Sequence, residues 1–389
     1  MTALTPAIPT AGPSAPPSLA DMMHANARHA PVTLGLVVVN VLVFVTMLGF
    51  GAGWWHTSNT VQLTWGANFG PATQDGQWWR LASALFLHFG VVHLALNMWA
   101  LWDVGRLMEQ LYGRWRFALL YLGSGVIGNL LSLVVQGNEA VSGGASGSVF
   151  SLYGALLVFL WRERRHVLRH EFRWLFGAAI VFTLLTLGMG VVIPGIDNAA
   201  HVGGLLCGAL FAQLLARPWE ANPRRASGWS RSIAGIMLGA GVVVLVMRLP
   251  APSYRMGDEL RAQQAIRKFL IEDRVLSQRW DSLLDSGRRE RLSFDQLAGA
   301  IDSRITAQYQ GNFEELSDLR LEPTAQSART LEILRKYAVL RGDASHALAE
   351  GLRSKDAEKI RKAMETARQA PLLARGVVPP ASAASASRR

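Results

Sequence analysis

The sequence predicts an all-α polytopic membrane protein: a six-helix bundle, a seventh transmembrane helix and a small, mostly helical soluble C-terminal domain. Half of the 389 residues are hydrophobic and 17% are charged, whereas about a quarter are charged in ordinary soluble domains. Twelve of the 13 Trp precede residue 230, which is typical of a chain that repeatedly crosses a lipid–water boundary. The single Cys, Cys207, excludes a disulfide framework and a cysteine-ligated metal centre.

Seven apolar stretches predict the transmembrane helices, because about 20 apolar residues cross the hydrocarbon core of a bilayer. One of them, 146–161, is shorter than the others and begins with the small polar residues Ser146, Gly147 and Ser148. In chain order the predicted spans are about 32–50, 81–105, 116–135, 146–161, 172–193, 199–216 and 231–249. Residues 1–30 are rich in Pro, Ala and Ser and lack an apolar signal-peptide core, so they predict a disordered tail and a retained first span.

The distribution of arginine predicts the orientation, because cytoplasmic loops are enriched in positive charge. Arginines cluster in three of the loops between the predicted spans, at 106–116, 162–173 and 217–231. The alternate loops contain neither Lys nor Arg, and they are 51–79, 136–145 and 190–198. We therefore expect a cytoplasmic N-terminus, and seven crossings would carry the C-terminal domain to the other side. The preference for Arg and Ala favours a bacterial host and hence the inner (cell) membrane. The seven crossings would then make the C-terminal domain periplasmic or extracytoplasmic.

The last third of the chain is more polar than the first 250 residues. All five Lys lie after residue 250, and apolar residues such as Leu331, Leu334 and Ala338 recur at helical spacing. The sequence predicts a linker and seventh span at 217–249, a helical soluble domain at 250–375 and a disordered tail at 376–389. The net charge of +11 does not indicate a nucleic-acid partner, because the arginines of the first 250 residues lie where the topology requires them.

A few polar side chains lie inside the predicted spans, where lipid makes them costly. His93 and Asn97 are four apart and share one helix face of the second span, Ser146 begins the fourth, and His201 is early in the sixth. The predicted topology brings all of them to the outer half of the bilayer. Each alone is more often a packing or hydrogen-bonding residue. Together they supply a nucleophile, a base and donors for an oxyanion.

This combination predicts acyl transfer to Ser146, with His201 as the base that activates its hydroxyl. The Ser146 backbone N–H, the Asn97 amide and the His93 ring could stabilise the oxyanion. We interpret Asp197 as a helix N-cap, with a third place in a catalytic triad as the less favoured reading. A proton-coupled transporter is the alternative of another class. It would need a polar route to the inner face and inverted repeats, and neither is visible in the sequence.

At these residues the sequence resembles the rhomboid intramembrane serine proteases. The central match is Gly144-Ala145-Ser146-Gly147, which corresponds to the GxSG motif of the family. The other ordered motifs are His88-x4-His93-x3-Asn97, Asn198-Ala199-Ala200-His201 followed by Gly204 and Gly208, Trp79-Arg80, and Glu109 with Gly113. The resemblance covers about residues 31–216.

The resemblance implies a Ser146–His201 dyad with an oxyanion hole formed by His93 and Asn97. It also implies supporting positions at His88, Gly144, Phe150 and Asn198. Phe150 occupies the place where some members of the family have a Tyr stacked on the catalytic His.

The implied reaction is that of a serine endopeptidase (EC 3.4.21.-) that hydrolyses peptide bonds in or near transmembrane segments, with no metal or cofactor. The implied partners are transmembrane protein substrates and the lipid bilayer, and the oligomeric state is not indicated. Within the same fold, the alternative is a catalytically silent protein that binds transmembrane clients. Such relatives usually lack the catalytic Ser or His, whereas this chain has both.

Overall fold

The computed structural model describes residues 18–19, 30–216, 228–289 and 292–375, and it divides into two compact units between Pro252 and Ser253. Helices build both units, and an isolated antiparallel bridge pairs Asn68 with Ser142 in the first of them. The predicted tails, apart from residues 18, 19 and 30, and the predicted linker at 217–227 lie outside the described residues.

The first unit is a helical bundle with short helices in its first long loop. Its helices are α1 (Pro31–Gly49), α2 (Asn59–Thr64), α3 (Gly70–Thr73), α4 (Arg80–Ser83), a 3-10 turn (Ala84–Phe86), α5 (Val91–Tyr112), α6 (Arg114–Gln136), α7 (Ser146–Glu163), α8 (Arg169–Val192), α9 (Asn198–Leu214) and α10 (Gly228–Met247). In the described part of the chain, α1, α6, α8 and α10 are long and apolar enough to cross a bilayer. The segment from Arg80 to Tyr112 adds a fifth candidate if it is read as one broken span. The all-α, polytopic membrane fold class is confirmed, and the count of seven crossings stays a prediction.

The second predicted span, about 81–105, is not one continuous helix. The segment Arg80–Phe86 meets Val91–Tyr112 at 92°, and the helix α5 begins ten residues later than the predicted span. The outer loop supplies the reason, because its backbone bonds to the residues at the break. Val91 donates its N–H to the Trp54 carbonyl at 2.9 Å, and Thr57 donates to the Phe89 carbonyl at 2.7 Å. These bonds satisfy backbone groups that a continuous helix would have paired internally.

Helices α6, α7 and α9 approach each other backbone to backbone. A Cβ placed at Gly204 of α9 would lie 1.9 Å from the Gly147 carbonyl oxygen of α7, and one at Gly208 would lie 2.1 Å from the Ser151 carbonyl oxygen. A Cβ at Gly128 of α6 would lie 2.8 Å from the Ala200 carbonyl oxygen of α9. Small residues at these positions are what allow membrane helices to pack this closely. The close packing brings the start of α7 next to the start of α9.

The second unit is also helical. Its elements are α11 (Met256–Arg289), α12 (Phe294–Ile301), a π-helical turn (Asp302–Thr306), α13 (Ala307–Asp318), α14 (Ala328–Ser354) and α15 (Ala357–Leu373). At its centre the carboxylate of Asp273 accepts hydrogen bonds from the hydroxyls of Tyr309 at 2.8 Å and Tyr337 at 3.0 Å. The Arg341 guanidinium donates to the Tyr309 hydroxyl and lies over the ring of Trp280. A buried charge is therefore held by hydrogen-bonded partners.

Candidate active site

Ser146 and His201 lie within hydrogen-bonding distance of each other. The Ser146 hydroxyl is 2.8 Å from Nε2 of His201. Ser146 is the first residue of α7 and is partly accessible, whereas His201, in the first turn of α9, is buried. For the hydroxyl to donate, Nε2 must be the unprotonated nitrogen of a neutral ring. This is the geometry that proton transfer from a serine nucleophile to an imidazole base requires.

Phe150 supports the imidazole from one side. It lies one turn after Ser146 on α7, and its ring stacks on His201 with centroids 4.3 Å apart and planes within 3° of parallel. On α8, Phe182 packs against Phe150 at 5.9 Å and stacks on Tyr153 at 4.1 Å. The aromatic contacts leave the His201 ring little freedom to rotate away from Ser146.

Gly144 opens the space beside the serine. Its φ of +148° lies in the region that favours glycine. A Cβ at this position would lie 2.8 Å from Cε1 of His93 and 3.7 Å from the Ser146 hydroxyl oxygen. A side chain here would therefore fill the space between His93 and the serine. The glycine keeps that space open.

His93 and Asn97 lie one turn apart on α5. The Phe89 N–H approaches Nδ1 of His93 at 3.5 Å, so Nδ1 acts as the acceptor and the proton is assigned to Nε2. The Asn97 amide donates one hydrogen to the His93 carbonyl at 2.8 Å, and its NH₂ group has a second hydrogen. Since α7 begins at Ser146, the backbone N–H of that residue has no partner within the helix, and the helix dipole favours negative charge there.

His88 and Asn198 lie outside this group of polar atoms. The ring of His88 is fully buried and packs edge-on against the His93 ring, with centroids 5.1 Å apart. Its carbonyl accepts a hydrogen bond from the Gln62 amide at 2.9 Å, which connects the outer loop to this segment. The Asn198 amide donates to the Leu187 carbonyl of α8 at 3.0 Å. The His88 ring therefore contacts His93 directly, whereas the Asn198 side chain joins the start of α9 to the backbone of α8.

Asp197 is the N-cap of α9, as the sequence predicted. Its Oδ1 accepts a hydrogen bond from the Ala200 N–H at 2.9 Å. Its Oδ2 accepts hydrogen bonds from the hydroxyls of Ser132 and Ser142, each at 2.5 Å. Nδ1 of His201 has no hydrogen-bond partner among the described residues. The carboxylate therefore makes no contact with His201 of the kind that a catalytic triad needs.

The outer loop is anchored by polar side chains beneath it. The guanidinium of Arg80 donates to the carbonyls of Leu63 at 2.7 Å and Ala67 at 3.0 Å and lies against the Trp79 ring. Asn68 donates from its side chain to the Asn129 carbonyl of α6 at 3.0 Å. The loop is thus attached to the bundle next to the segment that leads into Ser146.

Sequence reasoning did not identify Ser132, Ser142 and Asn68. Each is a single small polar residue outside the motifs that predict the site. Their roles depend on contacts across 55 to 65 residues of chain for the two serines. The run of apolar residues around Ser132 offered one signal, because a hydroxyl in such a run needs a partner. Among the described residues, no three His, Cys, Asp or Glu side chains come close enough to hold a metal ion.

Comparison with known proteins gives evidence of relationship that is independent of the geometry. The family model described as "Rhomboid domain" matches residues 75–218. The chain is 33% identical over 221 residues to "Rhomboid protease GluP" of Bacillus subtilis (strain 168), covering 56% of this chain and 41% of that protein. It is 38% identical over 172 residues to "RHOMBOID-like protein 4" of Arabidopsis thaliana, covering 42% of this chain and 40% of that protein.

A shorter relative is covered more fully. The chain is 34% identical over 155 residues to "Putative rhomboid protease YdcA" of Bacillus subtilis (strain 168), which covers 40% of this chain and 75% of that protein. By contrast, it spans less than half the length of the two relatives above. The region matched by the family model contains the helices α4 to α9, and with them the GxSG segment and the α9 motif described here. The chain belongs to the rhomboid family.

Proposed function

We propose that this protein is an intramembrane serine endopeptidase that cleaves peptide bonds in or near transmembrane segments of other membrane proteins. The observation that carries the proposal is the 2.8 Å contact between the Ser146 hydroxyl and Nε2 of His201. Membership of a family whose bacterial members include proteins named as proteases supports it. The site lies at the outer ends of α7 and α9 in the predicted topology, where water can reach it.

In the first half of the reaction, the Ser146 oxygen attacks the carbonyl carbon of the scissile bond, and its proton passes to Nε2 of His201. The carbonyl oxygen becomes an oxyanion in the space beside Gly144. The Ser146 backbone N–H, the second hydrogen of the Asn97 amide and Nε2–H of His93 are the donors for that oxyanion. When the intermediate collapses, the C–N bond breaks and His201 returns the proton to the leaving amine.

In the second half, water replaces the amine. His201 takes a proton from the water as it attacks the acyl-enzyme ester, a second oxyanion forms in the same space, and the Ser146 oxygen leaves with a proton from His201. A dyad is sufficient for both steps, because stacking on Phe150 orients the imidazole. The proposed location is a bacterial inner membrane, with the N-terminus in the cytoplasm and the C-terminal unit outside.

The proposal is tested by comparing wild type with Ser146→Ala, each reconstituted in liposomes with a tagged single-span substrate. We expect a cleavage fragment with wild type only, and covalent labelling of Ser146 by a fluorophosphonate probe. Cleavage by both proteins would identify a contaminating protease. If wild type neither cleaves several substrates nor reacts with the probe, the protein is the catalytically silent client-binding alternative.

A further inference from the structure

The carboxylate of Asp197 connects the two chain segments that lead into the proposed nucleophile and base. Through Oδ2 it accepts the hydroxyls of Ser142 and Ser132, and through Oδ1 it accepts the Ala200 N–H. Ser142 lies four residues before Ser146, and Asp197 lies four residues before His201. One side chain therefore joins the approach to α7, the C-terminal end of α6 and the start of α9.

The backbone of residues 142–146 links Ser142 to the active site. Ser142 pairs with Asn68 through two backbone hydrogen bonds of 2.8 and 2.9 Å, and the Gly144 N–H donates to the Ala84 carbonyl at 2.8 Å. Two residues later the chain reaches Ser146. A shift of Ser142 would therefore shift Gly144, which borders His93, and the serine itself.

The bonds to Asp197 are of a strong type. Hydrogen bonds to an ionised carboxylate are roughly twice as strong as those between neutral groups. Ser132 and Ser142 are both buried, so loss of the carboxylate would leave their hydroxyls without water as a substitute. Both Asp197 oxygens are occupied by these partners and by the helix cap. This arrangement fixes backbone, whereas a triad member would direct an oxygen at Nδ1 of His201.

We propose that Asp197 is a positioning residue: by binding Ser142 and Ser132 from the start of α9, it holds Ser146 at hydrogen-bonding distance from His201. This inference rests on the proposed protease function. The role concerns alignment of the two reacting groups, so it affects the chemical step and leaves substrate binding unchanged. It requires no contact between Asp197 and the substrate.

The test uses the full-length protein in liposomes and four variants: Asp197→Ser, Asp197→Asn, Ser142→Ala and the double variant that combines Asp197→Ser with Ser142→Ala. His201→Ala serves as the reference for loss of the base. A serine keeps an N-cap acceptor for α9 but has one oxygen on a shorter side chain. The readouts are the rate of fluorophosphonate labelling at Ser146, kcat and KM for substrate cleavage, and the pH dependence of kcat. Ser303→Ala removes an exposed hydroxyl that donates only to the nearby Gly299 carbonyl, and it serves as the matched control.

We expect Asp197→Ser to lower the labelling rate and kcat by about 10- to 100-fold, because misalignment of about 1 Å at a reacting centre has effects of this size. KM and the midpoint of the pH profile should stay at their wild-type values. Ser142→Ala should reproduce part of the loss, and the double variant should be no slower than Asp197→Ser alone, because the two changes remove the same contact. Asp197→Asn, which keeps the cap and one oxygen, should recover part of the rate.

Wild-type labelling by Asp197→Ser would overturn the positioning role. A shifted pH profile, with a loss as large as that of His201→Ala and independent of Ser142, would assign Asp197 to a triad and also overturn it. If Asp197→Ser does not fold, Ser142→Ala decides, because it leaves the α9 cap intact: wild-type labelling by that variant contradicts the inference. If wild type itself neither labels nor cleaves, the proposed function fails and the positioning role fails with it.

Discussion

The imidazole of His201 lies flat against the ring of Phe150, with the two planes 3° apart. The contact joins the two helices that carry the proposed base and nucleophile, because Phe150 is on α7 and His201 is on α9. A stacking partner without a hydroxyl orients the base through its aromatic face alone. In the proposed dyad, the stack takes over part of the orienting role that a carboxylate has in a catalytic triad.

The first prediction concerns this stack. Phe150→Leu keeps an apolar side chain but loses the aromatic face, and aromatic pairs contribute about 0.5–1.5 kcal/mol beyond their buried area. We expect kcat to fall by about 2- to 13-fold, which is that energy expressed as a rate if it is lost in the transition state. Phe150→Tyr keeps the face and should retain most of the activity. Cleavage kinetics of the two variants in liposomes measure the effect, and equal rates for Leu and Tyr would contradict the stacking role.

The second prediction concerns the close approach of α7 and α9. Gly204→Ala would place a Cβ 1.9 Å from the Gly147 carbonyl oxygen, so the helices must separate. Overpacking of this kind costs about 1–3 kcal/mol of stability. We expect a lower unfolding temperature in detergent and loss of cleavage, because Ser146 and His201 lie on the two separated helices.

Gly188→Ala is the matched control for that experiment. A Cβ at Gly188 of α8 meets nothing within 4 Å, and alanine is the better helix former. This variant should keep wild-type stability and activity. A comparable loss in both variants would mean that the effect comes from glycine itself and not from the contact between α7 and α9.

The sequence predicts most of the membrane unit because its signals are local. Apolar length identifies the helices, and the spacing of His93 and Asn97 puts them on one face of α5. The break before Val91 could not be predicted, because it depends on bonds from Trp54 and Thr57 in the outer loop. The position of Asp197 predicts the cap that the structure shows, whereas its bonds to Ser132 and Ser142 join segments that are distant in the chain.

The third prediction concerns Glu109, a buried carboxylate near the end of α5. It accepts hydrogen bonds from the Val32 N–H at 3.0 Å and from the Thr33 N–H and hydroxyl at 2.7 and 2.8 Å. These bonds satisfy two of the unpaired N–H groups at the start of α1. Glu109→Gln replaces one acceptor oxygen with an NH₂ group, so we expect a loss of about 1–3 kcal/mol in stability.

Activity should respond differently from stability in this variant. Glu109 is 16 residues from His93 on the same helix, or roughly 24 Å along its axis, so it does not touch the reacting groups. We expect a lower unfolding temperature with near-normal kcat at temperatures where the protein remains folded. Thermal unfolding and cleavage assays measure the two effects, with the exposed Glu139→Gln as control. A large fall in kcat without a change in unfolding temperature would refute this structural role.

The fourth prediction concerns pH and the second unit. Burial raises the pKa of Tyr309 to about 12, whereas an unfolded tyrosine ionises near pH 10. Between about pH 10 and 12 the folded state therefore binds more protons than the unfolded state, and the free energy of unfolding falls as pH rises. Tyr309→Phe should remove the part of this pH dependence that comes from Tyr309. The difference in tyrosinate absorbance between wild type and Tyr309→Phe should titrate near pH 12, and a midpoint near pH 10 would contradict the prediction.

The fifth prediction concerns topology. If the chain crosses the membrane seven times with arginine-rich loops in the cytoplasm, Arg165 and Ser303 lie on opposite sides. Both positions are exposed, and the buried Cys207 can be replaced by Ser to give a cysteine-free background. In intact bacterial spheroplasts, a membrane-impermeant maleimide should label Ser303→Cys at once and Arg165→Cys only after the membrane is permeabilised. Labelling of both before permeabilisation, or of neither, would mean an even number of crossings between the two positions, and the C-terminal unit would then share the side of the arginine-rich loops.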